Sequence, residues 1–121
     1  MLESQTGGFD PPLDLVHLAR QCLGDHELEA ELLGLFWQQA PALTAQLSGS
    51  LALSLASKAK IAHTLRGSAL AIGARRVASA AWRLEELASA AGEQGAAEGR
   101  AIAALRSAVA EALTEIERIR G

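Results

Sequence analysis

The chain has 121 residues and a net charge of −3, half of it is hydrophobic, and it holds no Tyr, two Phe, two Trp and one Cys. That is room for one domain with a real core, built from alanine and leucine and therefore from helices, with nothing that reads as strand. No apolar run is long enough to span a membrane, the start Met1-Leu2-Glu3-Ser4 lacks the marks of a signal peptide, and an acidic chain without interleaved aromatics argues against nucleic acid. A cytoplasmic protein is expected, with Cys22 as a small core residue.

In chain order, residues 1–12, with Gly7-Gly8 and Pro11-Pro12, read as a flexible N-terminal tail, and 13–121 as the domain. Asp14 is placed to cap a short helix carrying Leu15, Leu18 and Cys22, stopped by Gly24. Asp25 caps a longer helix whose stripe is Leu28, Leu32, Leu33, Phe36, Ala40, Leu43 and Leu47. Pro41 falls inside that pattern and is expected to kink the helix without ending it, since the periodicity continues. Trp37, at the edge of the stripe, reads as core more readily than as surface. His17 and His26, beside helix starts, read as surface histidines.

Ser54 caps the next helix, which runs to Ile72 with Leu55, Ala62, Leu65, Ala69 and Ile72 inward. Gly73-Ala74 is a tight joint. The following helix turns Val77, Ala81, Leu84 and Ala88 inward and ends near Gly92, with Trp82 as a packed flank residue. Gly92 to Gly99 reads as a glycine-punctuated loop, and a last helix from about Ala97 to Ile119 carries Ile102, Leu105, Val109, Leu113, Ile116 and Ile119. The expected fold is all-α: an antiparallel up-down four-helix bundle with a short additional N-terminal helix laid against one end.

Charge is segregated. Seven acids stand against Arg20 alone from Met1 to Ser57, whereas Lys58 to Arg83 holds six basic residues and no acid. A basic segment of this kind either forms solvated helix faces or steers an anionic partner.

Within the basic segment one residue stands out. At about 100° per residue, His63 points away from the buried stripe, with Gly67 one turn on and Arg66 on the flank. A helix-interior glycine costs about 1 kcal/mol against alanine, so the bare backbone beside the ring suggests a need for open space. His63 stands as far before Ala74 as Glu85 stands after it, which puts the two at one height in an antiparallel pair. Glu85 is then positioned to accept a hydrogen bond from Nδ1–H and leave Nε2 free as a nucleophile. No His or Cys stands at i+3 or i+4 from His63, so a metal site is disfavoured. Ser68 is turned elsewhere, which disfavours a hydrolase.

His63-Thr64-Leu65-Arg66-Gly67-Ser68, then Gly73-Ala74, then Leu84-Glu85, resembles the histidine-containing phosphotransfer (Hpt) domain of bacterial phosphorelays. The likeness extends upstream through Leu32-Leu33-Gly34-Leu35-Phe36 and Pro41, and the helical bundle is that family's fold. The resemblance implies that His63 is phosphorylated, that Arg66 replaces the usual lysine and stabilises phosphate charge, that Gly67 clears space for a partner, and that Glu85 orients the imidazole. It implies a stoichiometric phosphocarrier, not an enzyme, passing phosphoryl groups between receiver domains of response regulators and hybrid histidine kinases. No cofactor of its own is implied, Mg²⁺ being supplied by the receiver, and a monomer is expected. Two alternatives stand beside this reading. One is a module phosphorylated directly by a histidine kinase, and the other is a helical docking module that carries no phosphate.

Overall fold

A computed structural model of the chain describes residues 11–49, 53–90 and 95–120. These residues form five helices and no strand: α1 Leu15–Gln21, α2 His26–Gly49, α3 Leu55–Ile72, α4 Arg75–Ser89 and α5 Gly95–Arg120. The expected tail lies, for residues 1–10, outside the described residues, as does the start of the expected loop, residues 92–94.

The caps are the ones the polar residues were suited to make. The Asp14 carboxylate accepts from the His17 backbone N–H at 3.0 Å. Asp25 accepts from the N–H groups of Glu27 and Leu28 at 3.0 and 3.1 Å, and Ser54 from that of Ser57 at 3.1 Å. Each satisfies backbone donors that the first helical turn leaves without a partner. Pro41 lies inside α2 without ending it. It removes one backbone donor, and just beyond it the Thr44 hydroxyl donates to the carbonyls of Ala40 and Pro41 at 2.9 and 3.1 Å.

Each of the four long helices packs on two others, in the cyclic order α2, α3, α4, α5, while α1 lies on α3 and α2. Two ion pairs report the up-down course. Lys58, in the first turn of α3, meets Glu98, in the first turn of α5, at 2.5 Å, so these helices begin at the same end. Arg76, at the start of α4, meets Glu111, far along α5, at 2.7 Å, so those two run oppositely. Phe36, Leu65, Ile72, Leu84, Leu105 and Ile116 fill the interior, and Cys22 is buried with them.

Three expectations about packing need correction. The last helix begins at Gly95, two residues before the expected start near Ala97, so the loop placed at Gly92 to Gly99 does not reach beyond Gln94. Gly99 is flanked by Ala96, Ala97 and Ala101, and Glu98 sits in the first turn, where its charge suits the helix N-terminus and its ion pair with Lys58 ties the turn down. Leu15, Leu28 and Ile119, read as stripe members, are exposed, because each belongs to the outer edge of its helix. Trp37 is also on the surface, over a shallow recess with Leu35 and Arg120.

The α3–α4 joint is built tightly. Gly73 caps α3 in the left-handed region at φ 75°, and its carbonyl accepts from the Asp14 N–H at 2.9 Å. A Cβ at position 73 would come within 2.7 Å of the Asp14 carbonyl oxygen. The Asp14 carboxylate also pairs with Arg75, and His17 Nε2 donates to the Leu70 carbonyl at 2.9 Å. His17 is therefore half-buried and ties α1 to α3, in contrast to its reading as a plain surface residue.

Candidate functional site

The stripe of Ala62, Leu65, Ala69 and Ile72 is buried, and this turns His63 outward, with 69% of its side chain exposed. From α4, the buried Leu84 carries Glu85 onto the flank that faces α3, where its side chain is only 16% exposed. The Glu85 Oε1 atom lies 3.0 Å from His63 Nδ1. An ionised carboxylate only accepts hydrogen bonds, so the proton resides on Nδ1 and the lone pair of the neutral ring on Nε2.

Arg66 occupies the other carboxylate oxygen. Its Nε donates to Glu85 Oε2 at 2.6 Å, and a terminal nitrogen stands 3.4 Å from Oε1. The same terminal nitrogen is 3.2 Å from His63 Nδ1. With Nδ1 donating to the carboxylate, this last approach is two donors side by side, both directed at Glu85. Burial pushes the Glu85 pKa up, but the hydrogen bonds from Arg66 and His63 and the neighbouring positive charge outweigh it, so the carboxyl is held below its ordinary value.

The guanidinium carbon of Arg66 also sits 5.0 Å from the centroid of the Trp82 ring, a cation–π contact. Trp82 is half exposed, where a packed flank residue was expected. The signal for its position was present in the chain: Arg66 and Trp82 stand eight residues either side of Ala74, just as His63 and Glu85 stand eleven either side. The symmetry that pairs one couple pairs the other.

Beside the ring, an added Cβ at Gly67 would meet nothing within 4 Å. On the other side of His63 an open groove of about 680 Å³ runs between α3 and α4, with Lys60, Trp82, Glu85 and Glu86 among its walls and a floor of alanines. The basic segment is less free than its composition suggests. Lys58, Arg66, Arg75 and Arg76 all pair with acids on other parts of the chain, so only Lys60 and Arg83 of the six make no ion pair among the described residues. Among those residues no cluster of three or more His, Cys, Asp or Glu is arranged to hold a metal.

A family model, the Hpt domain, matches residues 31–118. The chain is an Hpt domain. Comparisons with curated proteins and with solved structures find no match. Hpt domains are phosphocarriers in phosphorelay signalling, exchange phosphoryl groups with receiver domains, are not catalytic kinases and need no cofactor of their own. The matched segment contains the whole of α3 and α4, and with them His63, Arg66, Gly67 and Glu85. Among the described residues no helix is long and apolar enough to cross a membrane.

Proposed function

We propose that His63 is the phosphoacceptor of this Hpt domain, taking a phosphoryl group from the aspartyl phosphate of one receiver domain and delivering it to the aspartate of another, in the cytoplasm. The observation that carries this reading is the bond from Nδ1 to Glu85 on a ring that is otherwise exposed. It holds one tautomer and presents the Nε2 lone pair outward, which in-line attack on phosphorus requires.

In the forward step the Nε2–P bond forms as the aspartyl O–P bond breaks, and the electron pair leaves on the receiver carboxylate. The ring becomes cationic while the Nδ1 proton stays in place, and Glu85 faces that charge. Onward transfer reverses the sequence: the N–P pair returns to Nε2 and the neutral ring is restored. The receiver supplies Mg²⁺ and its acidic pocket. Gly67 supports the reading by giving a partner close access to the ring. Arg66 adds its positive charge through Glu85, on the Nδ1 side.

The test is to incubate the chain with a phosphorylated receiver and Mg²⁺ and to look for label that is labile in acid and stable in base. The label is expected on wild type and absent from His63→Gln. Labelling only by a kinase with ATP would assign the chain to direct kinase substrates, and binding without label would reduce it to a docking module.

A further inference from the structure

The nearest cation to a phosphohistidine is usually sought downstream, where Arg66 stands. Three features of this site point upstream instead. Arg66 is already committed: its guanidinium spans both oxygens of Glu85 and lies over Trp82, and its terminal nitrogen stands beside Nδ1. Reaching a phosphoryl group on Nε2 would mean leaving the carboxylate and the aromatic face together. Secondly, helical side chains lean toward the N-terminus of their helix and cover the preceding turn. The α3 residues that share the groove with His63 are accordingly Ala56, Ala59 and Lys60, and neither Arg66 nor Gly67 lines it. Thirdly, Lys60 is a side-chain neighbour at i−3, is exposed, and makes no ion pair among the described residues.

We propose that Lys60, not Arg66, is the cation that pairs with the phosphoryl group on Nε2 of His63, and that Arg66, held between Glu85 and the face of Trp82, is a positioning residue for the imidazole. This rests on His63 being the phosphoacceptor. A compact ammonium on a flexible stem suits a group that arrives and departs. A guanidinium fixed against a carboxylate suits one that stays. Glu86 lines the same groove beside Glu85, and the phosphoryl group would compete with it for Lys60.

The experiment uses phosphoramidate as donor, which needs no protein partner. Nε2 attacks its phosphorus, the new N–P bond forms, and the donor's N–P bond breaks with ammonia leaving. The full chain is compared with Lys60→Met, Lys60→Arg, Arg66→Met and Trp82→Leu. Phosphorylation rate and the ³¹P shift of the product are read on one side, and the ¹⁵N shifts of the unphosphorylated His63 ring on the other. Lys60→Met should slow phosphorylation about three- to tenfold and move the ³¹P signal while the ring tautomer is unchanged, and Lys60→Arg should restore most of both. Arg66→Met and Trp82→Leu should shift the ring ¹⁵N signals. A wild-type rate and ³¹P shift in Lys60→Met would overturn the assignment, as would an equal ³¹P displacement in Arg66→Met. Because Lys60 is exposed, its variants do not touch the core. If neither phosphoramidate nor a phosphorylated receiver labels His63 in the wild type, it is the phosphoacceptor reading that fails.

Discussion

Glu85 accepts from the imidazole and the guanidinium at once, so its replacements separate hydrogen bonding from charge. A hydrogen bond to a charged group is worth about 1.5–3 kcal/mol, and about 1.4 kcal/mol corresponds to a factor of ten in rate. Glu85→Ala should therefore slow phosphorylation of His63 by about 10- to 100-fold in single-turnover transfer from a receiver. Glu85→Gln keeps an acceptor for Nδ1–H and should cost less; equal losses in the two variants would rule out the tautomer argument. Gly67 permits a cleaner separation. With open space around an added Cβ, Gly67→Ala should raise stability by about 0.5–1 kcal/mol in a denaturant melt. Gly67→Leu should impair transfer from a receiver while leaving phosphorylation by phosphoramidate intact. Slow labelling by both donors would show that the leucine disturbs the ring and does not merely block a partner. At this scale His63, Gly67 and the Nδ1 contact of Glu85 were legible from helical angles and the reflection about Ala74. Trp82 was not, because its role depends on a cation from the neighbouring helix and its spacing within α4 shows only that it flanks Ala81.

Among the elements, the α3–α4 joint carries the sharpest requirement. Gly73 combines a left-handed backbone with contact against Asp14, and a non-glycine residue in that region costs about 1–2 kcal/mol before the contact is counted. Gly73→Ala should lower stability by at least that amount, whereas Gly67→Ala in the same helix moves it the other way. Opposite signs for the two glycines, read from urea midpoints, are the check. The start of α5 shows why a glycine-rich stretch was misread: Gly95 and Gly99 are poor helix formers alone, yet the Lys58–Glu98 pair supplies a tertiary anchor that no local pattern displays. The basic segment from Lys58 to Arg83 is the same lesson for charge. Its composition was plain, but the acids that neutralise Lys58, Arg75 and Arg76 come from α5 and from Asp14.

For the molecule as a whole, pH provides a global readout. The pKa of Asp14 is lowered chiefly by the His17 backbone N–H, with Arg75 adding to it, and that of Glu85 is lowered as described above. The unfolded chain then binds protons more readily than the folded one on descending from the ordinary values of 3.8 and 4.5. The stabilisation is thus fully present above about pH 5 and drains away as pH falls through the folded values. Denaturation midpoints measured from pH 7 down to 3 should fall on the acid side, and Glu85→Gln should flatten part of that fall. An unchanged slope would show that the Arg66–Glu85–His63 contacts do not contribute to stability. The bundle itself was legible because its stripes repeat at helical spacing through Leu33, Phe36, Leu65, Leu84 and Leu105, all buried.

The two-residue joint at Gly73-Ala74 has one more consequence. It acts as the length standard of the site. One residue inserted there would rotate every α4 side chain by about 100° relative to α3, carrying Glu85 past the imidazole and Trp82 away from the guanidinium, even in a bundle that still closed. Hinge length in this fold is thus a chemical quantity, because it decides which nitrogen of the histidine keeps the proton.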